Sequence, residues 1–175
     1  MHMATGFDAW ALTLTTFTPI VGLALVLLIP KAEEQLIKVV TLVTTLVTLG
    51  FVIYVLKNFD YDHASKLQFE VKKTWIEMIN SHYHVGVDGI ALPMLVLSAF
   101  VTVLCVIYSW NHFPEPHNPK AFLALLLLLE VGMNGTFAAQ DLILFFIFFE
   151  IVLLPMYFMI GVWGGPNREY ASIKF

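Results

Sequence analysis

The sequence predicts an all-α integral membrane protein with about five transmembrane helices, and two observations carry that fold class. The 175 residues are 59% hydrophobic and only 13% charged, with a mean hydropathy of +0.81, which is far from the balance of a water-soluble domain. The apolar residues also fall into five runs of roughly 20, the length that crosses a hydrocarbon core of about 30 Å, with the polar residues gathered between them. A lipid bilayer is therefore the solvent, and no sizeable soluble core is expected. A formal charge of −4 and a pI near 5.8, with no basic run interleaved with aromatics, exclude a nucleic-acid partner. The single cysteine, Cys105, lies inside an apolar run, so neither an intramolecular disulfide nor a cysteine metal site is available.

Taken in order, residues 1–57 hold a first helix pair, Trp10 to Ile29 and Leu36 to Leu56, joined by a short turn at Lys31 to Gln35. Residues before Trp10 contain no Lys or Arg, so the first run reads as a span rather than a signal peptide. Residues 58–89 form a polar extramembrane loop in which the alternation of Leu67, Phe69 and Val71 predicts a short strand. Its His82, His84 and Asp88 have a spacing that a metal accepts. A histidine pair beside the turn residues Gly86 and Gly89 reads as solvated instead, and no metal is expected. Residues 90–175 hold the third span, Ile90 to Trp110, a proline-rich turn at Pro114, Pro116 and Pro119, the fourth span, Ala121 to Ala139, and the fifth, Leu142 to Trp163. Trp10, Tyr54, Trp110 and Trp163 mark span ends, as interfacial aromatics do. Basic residues Lys31, Lys38, Lys120, Arg168 and Lys174 on one side, against four in one longer loop on the other, favour an N-terminus outside the cytoplasm.

Glu130 and Glu150 read as the only charged side chains within the apolar spans, and each lies ten residues from Gln140 at the tip of the last hairpin. At about 1.5 Å per residue both sit about 15 Å from that tip, near mid-bilayer. A charge there costs at least a few kcal/mol, so such residues face a protein interior or a hydrated cavity and mark ion or proton paths. Both are expected to turn away from lipid, with Asn134 and Tyr157 as polar partners on their respective helix faces. Gly132 and Gly135 permit close helix approach beside Glu130. Pro155 frees the carbonyl of Ile151. The phenylalanines from Phe145 to Phe149 read as lipid-facing and packing surface.

The stretch DLILFFIFFEIVLLPMYFMIGVWGG, Asp141 to Gly165, closely resembles the fifth-helix signature of the antiporter-like subunits of respiratory complex I. Its ending, LLPMYFMIGVWGG, is most similar to the M-type (NuoM-type) subunits of bacterial NADH:quinone oxidoreductase. HVGVDGIALP from His84 to Pro93, the fourth-helix glutamate Glu130 and the terminal YASIKF agree, so the resemblance covers most of the chain from His84 onward. Phe149 stands where the signature usually has Trp. The resemblance implies redox-driven proton translocation as one subunit of an enzyme complex, with Glu150 matching the glutamate that pairs with a seventh-helix lysine. Glu130 matches its fourth-helix companion, and Lys174 matches a lysine leading into the sixth helix. Members have about fourteen spans, so the chain looks like the N-terminal third of a member. The implied mechanism is charge switching: a desolvated carboxylate holds its proton and releases it when a cation approaches.

The resemblance further implies other complex I membrane-arm subunits as partners and the inner membrane of a bacterium as the location. FMN, iron-sulfur clusters and a quinone would be held elsewhere in the complex. The chain carries no nucleotide-binding glycine loop or cysteine cluster, so it is expected to bind no cofactor or small-molecule substrate and to have no independent activity. Two alternatives stand: a subunit of a multisubunit Na+/H+ antiporter, and a non-catalytic membrane scaffold in which the glutamates only satisfy helix contacts.

Overall fold

The computed structural model describes residues 6–175. Five helices are long and apolar enough to cross a membrane: α1 (Asp8–Leu28), α2 (Glu34–Asn58), α3 (Ala91–Ser109), α4 (Pro119–Ala138) and α5 (Leu142–Trp163). Their ends are set by local chemistry. Asp88 Oδ1 accepts from the amides of Ile90 and Ala91 at 3.0 and 2.8 Å and so opens α3. Asn118 caps α4 with Pro119 in the first turn, where its missing N–H costs nothing. A short helix, α6 (Arg168–Lys174), follows α5.

The protein is not wholly α-helical. The strand expected around Leu67 to Val71 is β1 (Gln68–Ile76), and it pairs antiparallel with β2 (Ser81–Val87) across a turn in which Asn80 takes a left-handed φ of 52°. A register shift between Gln68 and Val71, with Phe69 at φ 53°, turns Phe69 into the core. The sequence SHYHVGV of β2 lacks a clean polar-apolar alternation because His84 is itself partly buried, its Nε2 2.8 Å from the buried Glu70 carboxylate. The hairpin sits over the end of the bundle where α1 begins and where α4 turns into α5. Val85 bridges to Ala139, and Thr13 shares a 2.9 Å hydrogen bond with Tyr83.

Inside the bundle α4 packs against α1, α2, α3 and α5. The apolar core divides in two. One cluster, with Leu12, Val52, Val55, Leu95, Val87 and Phe148, lies toward the β-hairpin. The other, with Val26, Ile37, Val106, Leu123 and Leu127, lies toward the opposite end. Between them is a layer of buried polar residues: Thr15, Thr16, Thr45, Thr48, Ser98, Thr102, Glu130 and Asn134. In a bilayer, helices gain nothing from burying one apolar surface against another, so small and hydroxylated residues of this kind serve as interhelical contacts.

Candidate functional site: the polar layer around Glu130

The α4–α5 turn is locked by its own side chains. Asp141 Oδ1 accepts from the amides of Ile143 and Leu144, capping α5, and from the Ser81 hydroxyl, while Oδ2 accepts from the His82 amide at 3.0 Å. The His82 amide, followed by the Leu144 amide, the Ser81 hydroxyl and the Ile143 amide, holds the Asp141 carboxyl below the usual carboxylate range. Gln140 donates from Nε2 to Gly86 O and from its amide to His84 O. The turn that spaces Glu130 from Glu150 is thus fastened to the β-hairpin.

Gly132 and Gly135 bring α4 and α5 together, as their spacing predicts. A Cβ at Gly132 would lie 2.7 Å from Val152 Cγ2 and 2.9 Å from the Val152 amide, and one at Gly135 would collide with the Phe148 ring. These contacts set the register and put Glu130 opposite Leu153 and Leu154. Glu150 therefore lies about one turn, ~5 Å, nearer the hairpin end than Glu130. The two glutamates do not face each other, since Glu130 is on the side of α4 turned from the glycines.

Glu130 is fully buried, and neither of its carboxylate oxygens has a hydrogen-bond partner among the described residues. Asn134, one turn away, is not its partner. The Asn134 Oδ1 accepts from the Ser98 hydroxyl and its Nδ2 donates to the carbonyl of Thr15, both at 3.3 Å. That carbonyl is free because Pro19 lies four residues on inside α1 and has no N–H to offer it. The same two contacts fix antiparallel registers that place Pro19 of α1 and Thr102 of α3 at the level of Glu130.

Glu150 departs from expectation: it is exposed on the outer face of α5, in an open groove with Phe146, Ile147, Ile151, Leu153, Leu154 and Tyr157. The reason is packing, because α5 uses the face of Leu144, Phe148 and Pro155 to meet α4 and leaves the Glu150 face without a neighbour among the described residues. Tyr157 does share the Glu150 face, seven residues on, as the helical spacing predicts. Lys174 ends α6, exposed, with Nζ 5.5 Å from the Tyr170 ring centroid. It is not part of either glutamate's surroundings.

Two buried polar features were not anticipated: Lys38, and the Thr15 carbonyl that Pro19 leaves free for Asn134. Lys38, inside α2 and within the second predicted span, corrects the reading that Glu130 and Glu150 are the only charged side chains in the spans; it is 7% exposed, with Nζ 2.6 Å from Glu34 and 3.0 Å from the Trp110 carbonyl. Its spacing of three, seven and ten residues to Thr41, Thr45 and Thr48 was the available signal, as was Pro19 within the first span. Among the described residues no three His, Cys, Asp or Glu side chains gather to hold a metal ion. His82 uses its amide on Asp141, His84 pairs with Glu70, and Asp88 caps α3.

Residues 13–136 match the family described as NADH-ubiquinone oxidoreductase chain 4, amino terminus. The chain belongs to that family. Residues 139–175 continue into a second match, described as NADH:quinone oxidoreductase/Mrp antiporter, TM. NADH-quinone oxidoreductase subunit M of Rickettsia prowazekii is 38% identical over 167 residues, covering 94% of this chain and 33% of the relative. F(420)H(2) dehydrogenase subunit M of Methanosarcina mazei is 37% identical over 131 residues, 75% of this chain and 26% of the relative. The chain thus spans about a third or less of the length of these relatives. The fold is shared with a chain of respiratory complex I from Thermus thermophilus with bound NADH, at a TM-score of 0.73 and 23% identity over 92% of this chain and 31% of that one.

Proposed function

We propose that this chain works as part of a membrane-arm subunit of an NADH:quinone oxidoreductase in a bacterial inner membrane, where Glu130 and Glu150 take part in redox-driven proton translocation. The observation that carries the reading is Glu130, a carboxyl group wholly buried at mid-bilayer depth with no partner among the described residues. A structural carboxyl in lipid is hydrogen-bonded to a neighbouring helix, whereas an unpartnered one gains only if a proton or hydrated species visits it. Glu150 supports the reading differently. Its open groove offers room for a cationic side chain from a further helix, and approach or withdrawal of that cation would release or take up a proton at Glu150. FMN, iron-sulfur clusters and quinone belong to partner subunits in this reading.

The test is an assembled complex carrying Glu150→Gln or Glu130→Gln, assayed for NADH:quinone turnover and for acidification in sealed vesicles. Strong loss of coupled turnover is expected for Glu150→Gln and a smaller loss for Glu130→Gln. Normal pumping with both substituted would leave a scaffold role. The match shared with Mrp antiporters keeps a second reading in view, and Na+-driven proton movement independent of NADH would select it.

A further inference from the structure

At the bundle end away from the β-hairpin, where α1 and α5 finish and α2 and α4 begin, a groove of about 630 Å³ is bordered by α4 and α5. Its two halves differ in chemistry. The outer half is lined by Lys31, Glu34, His117, Asn118 and Lys120, and the inner half by Leu125, Phe158 and Val162. Leu125 lies five residues into α4 from Lys120, and Phe158 lies five residues back along α5 from Trp163. The apolar half therefore runs about 7.5 Å deeper into the bilayer. Its walls are held in place: Trp163 Nε1 donates to the Pro116 carbonyl at 2.8 Å, and the Trp163 ring meets Phe122 edge-on. The charges of the outer half do not balance within the protein. Glu34 is already engaged by Lys38 Nζ at 2.6 Å and by His117 Nε2 at 3.0 Å. Lys120 Nζ donates to the carbonyls of Leu27 and Ile29, at 2.9 and 2.7 Å, at the C-terminal end of α1. These carbonyls fix the ammonium but carry no full charge, and they leave one of its three N–H donors free. Lys31 is exposed and forms no side-chain hydrogen bond or ion pair among the described residues.

We propose that this groove binds an anionic phospholipid, with its phosphodiester between Lys120 and Lys31 and one acyl chain along Leu125, Phe158 and Val162. Two ammonium groups at a span end, above an apolar slot that continues toward mid-bilayer, match the order of charge and hydrocarbon in such a lipid. A basic pocket between transmembrane helices is a headgroup site of known physical kind. The selection is for an anion, because the ammonium of a zwitterionic headgroup would bring a further cation to a mouth whose one carboxylate, Glu34, is taken. An apolar protein helix is the other occupant such a groove admits. Covering it in that way would bury the Lys31 and Lys120 charges without a counter-ion, at a heavy desolvation cost. A phospholipid supplies the counter-ion and the apolar surface together.

The lipid site does not rest on proton translocation, and its test reads lipid alone. The assembled complex with its full-length subunit is placed in phosphatidylcholine nanodiscs and titrated with phosphatidylglycerol carrying a diazirine on one acyl chain. After illumination, mass spectrometry of the α4 and α5 peptides gives the lipid fraction at which Leu125 and Phe158 are half labelled. Lys31→Gln should raise that fraction about fivefold, and Lys31→Gln with Lys120→Gln about twenty-five-fold, from the weight of one cation at a lipid surface. Because the Lys31 side chain holds no other part of the described chain, its effect reports the ligand and not misfolding. Lys31→Arg should leave the titration unchanged, as should Lys57→Gln at the opposite end of α2. Val162→Trp, which narrows the slot without altering charge, should also weaken labelling. An unchanged titration in Lys31→Gln, or equal labelling by phosphatidylcholine with the same diazirine, would overturn the site. So would loss of the label to inorganic phosphate, which would make it a site for a free anion. Leu125 and Phe158 unlabelled at every lipid fraction, the result if a further helix covers the groove, would overturn it as well.

Discussion

Replacing Asn134 by leucine isolates a polar link that joins α4 to both α1 and α3. It removes two hydrogen bonds, from Ser98 and to the Thr15 carbonyl, each 3.3 Å and so at the long end of the useful range. Interhelical bonds in membranes average ~0.6 kcal/mol, so the pair contributes about 1.2 kcal/mol. Leaving the Thr15 carbonyl without a partner in lipid raises the expected loss to about 2 kcal/mol. The cause of that extra cost is Pro19, and a double-mutant cycle reads it directly. In Pro19→Ala the amide of residue 19 closes the α1 ladder onto Thr15, so Asn134→Leu then costs less by about 0.6 kcal/mol or more. The assay is reversible unfolding in mixed micelles followed by tryptophan fluorescence, for wild type, both single variants and the double. Additivity within about 0.3 kcal/mol would refute the argument that Asn134 is held for the carbonyl that Pro19 frees.

Further outcomes follow from the other contacts. Gly135→Ala forces a methyl into the Phe148 ring and should destabilise the α4–α5 pair by about 1–3 kcal/mol; Phe148→Ala in the same chain should recover part of the loss in the same unfolding assay. For Asp141 the folded carboxyl titrates below its unfolded value, so its stabilisation is fully present above the unfolded pKa and is lost as pH falls through the folded one. Asp141→Asn should therefore weaken protection of the His82 amide in hydrogen exchange at neutral pH, and the difference from wild type should shrink under acid conditions. Glu70→Ala leaves the partly buried His84 ring without its partner and should loosen the hairpin, read as faster exchange of the β1–β2 amides.

Span positions were legible because the bilayer imposes a length and a composition on each helix separately. The α5 limits, Leu142 and Trp163, agree with the reading residue for residue, and the others agree to within two residues. The close approach at Gly132 and Gly135 was legible for a similar reason, since the absence of a side chain is a local fact with one packing use. The hairpin was half legible: Leu67, Phe69 and Val71 alternate in the sequence, but the bulge buries both Phe69 and Glu70, and β2 carries His84, whose partner Glu70 is distant in sequence. The common depth expected of the two glutamates was correct only to within a turn, because the spacing from Gln140 says nothing of how the extended residues of the turn offset the two helices.

By itself the sequence determined that the chain lives in lipid, where its helices cross, and that Glu130 and Glu150 lie far from either surface. These follow from hydrophobicity and from the fixed rise of a helix. Only the tertiary structure decided which way each carboxyl points: Glu130 into a layer of threonines and Asn134, Glu150 into an open groove. Orientation depends on the rotation of each helix about its axis, which is set by contacts between distant residues such as Gly135 with Phe148 and Asn134 with Thr15. An apolar helix such as α5, hydrophobic nearly all round, carries little trace of that rotation in its own residues.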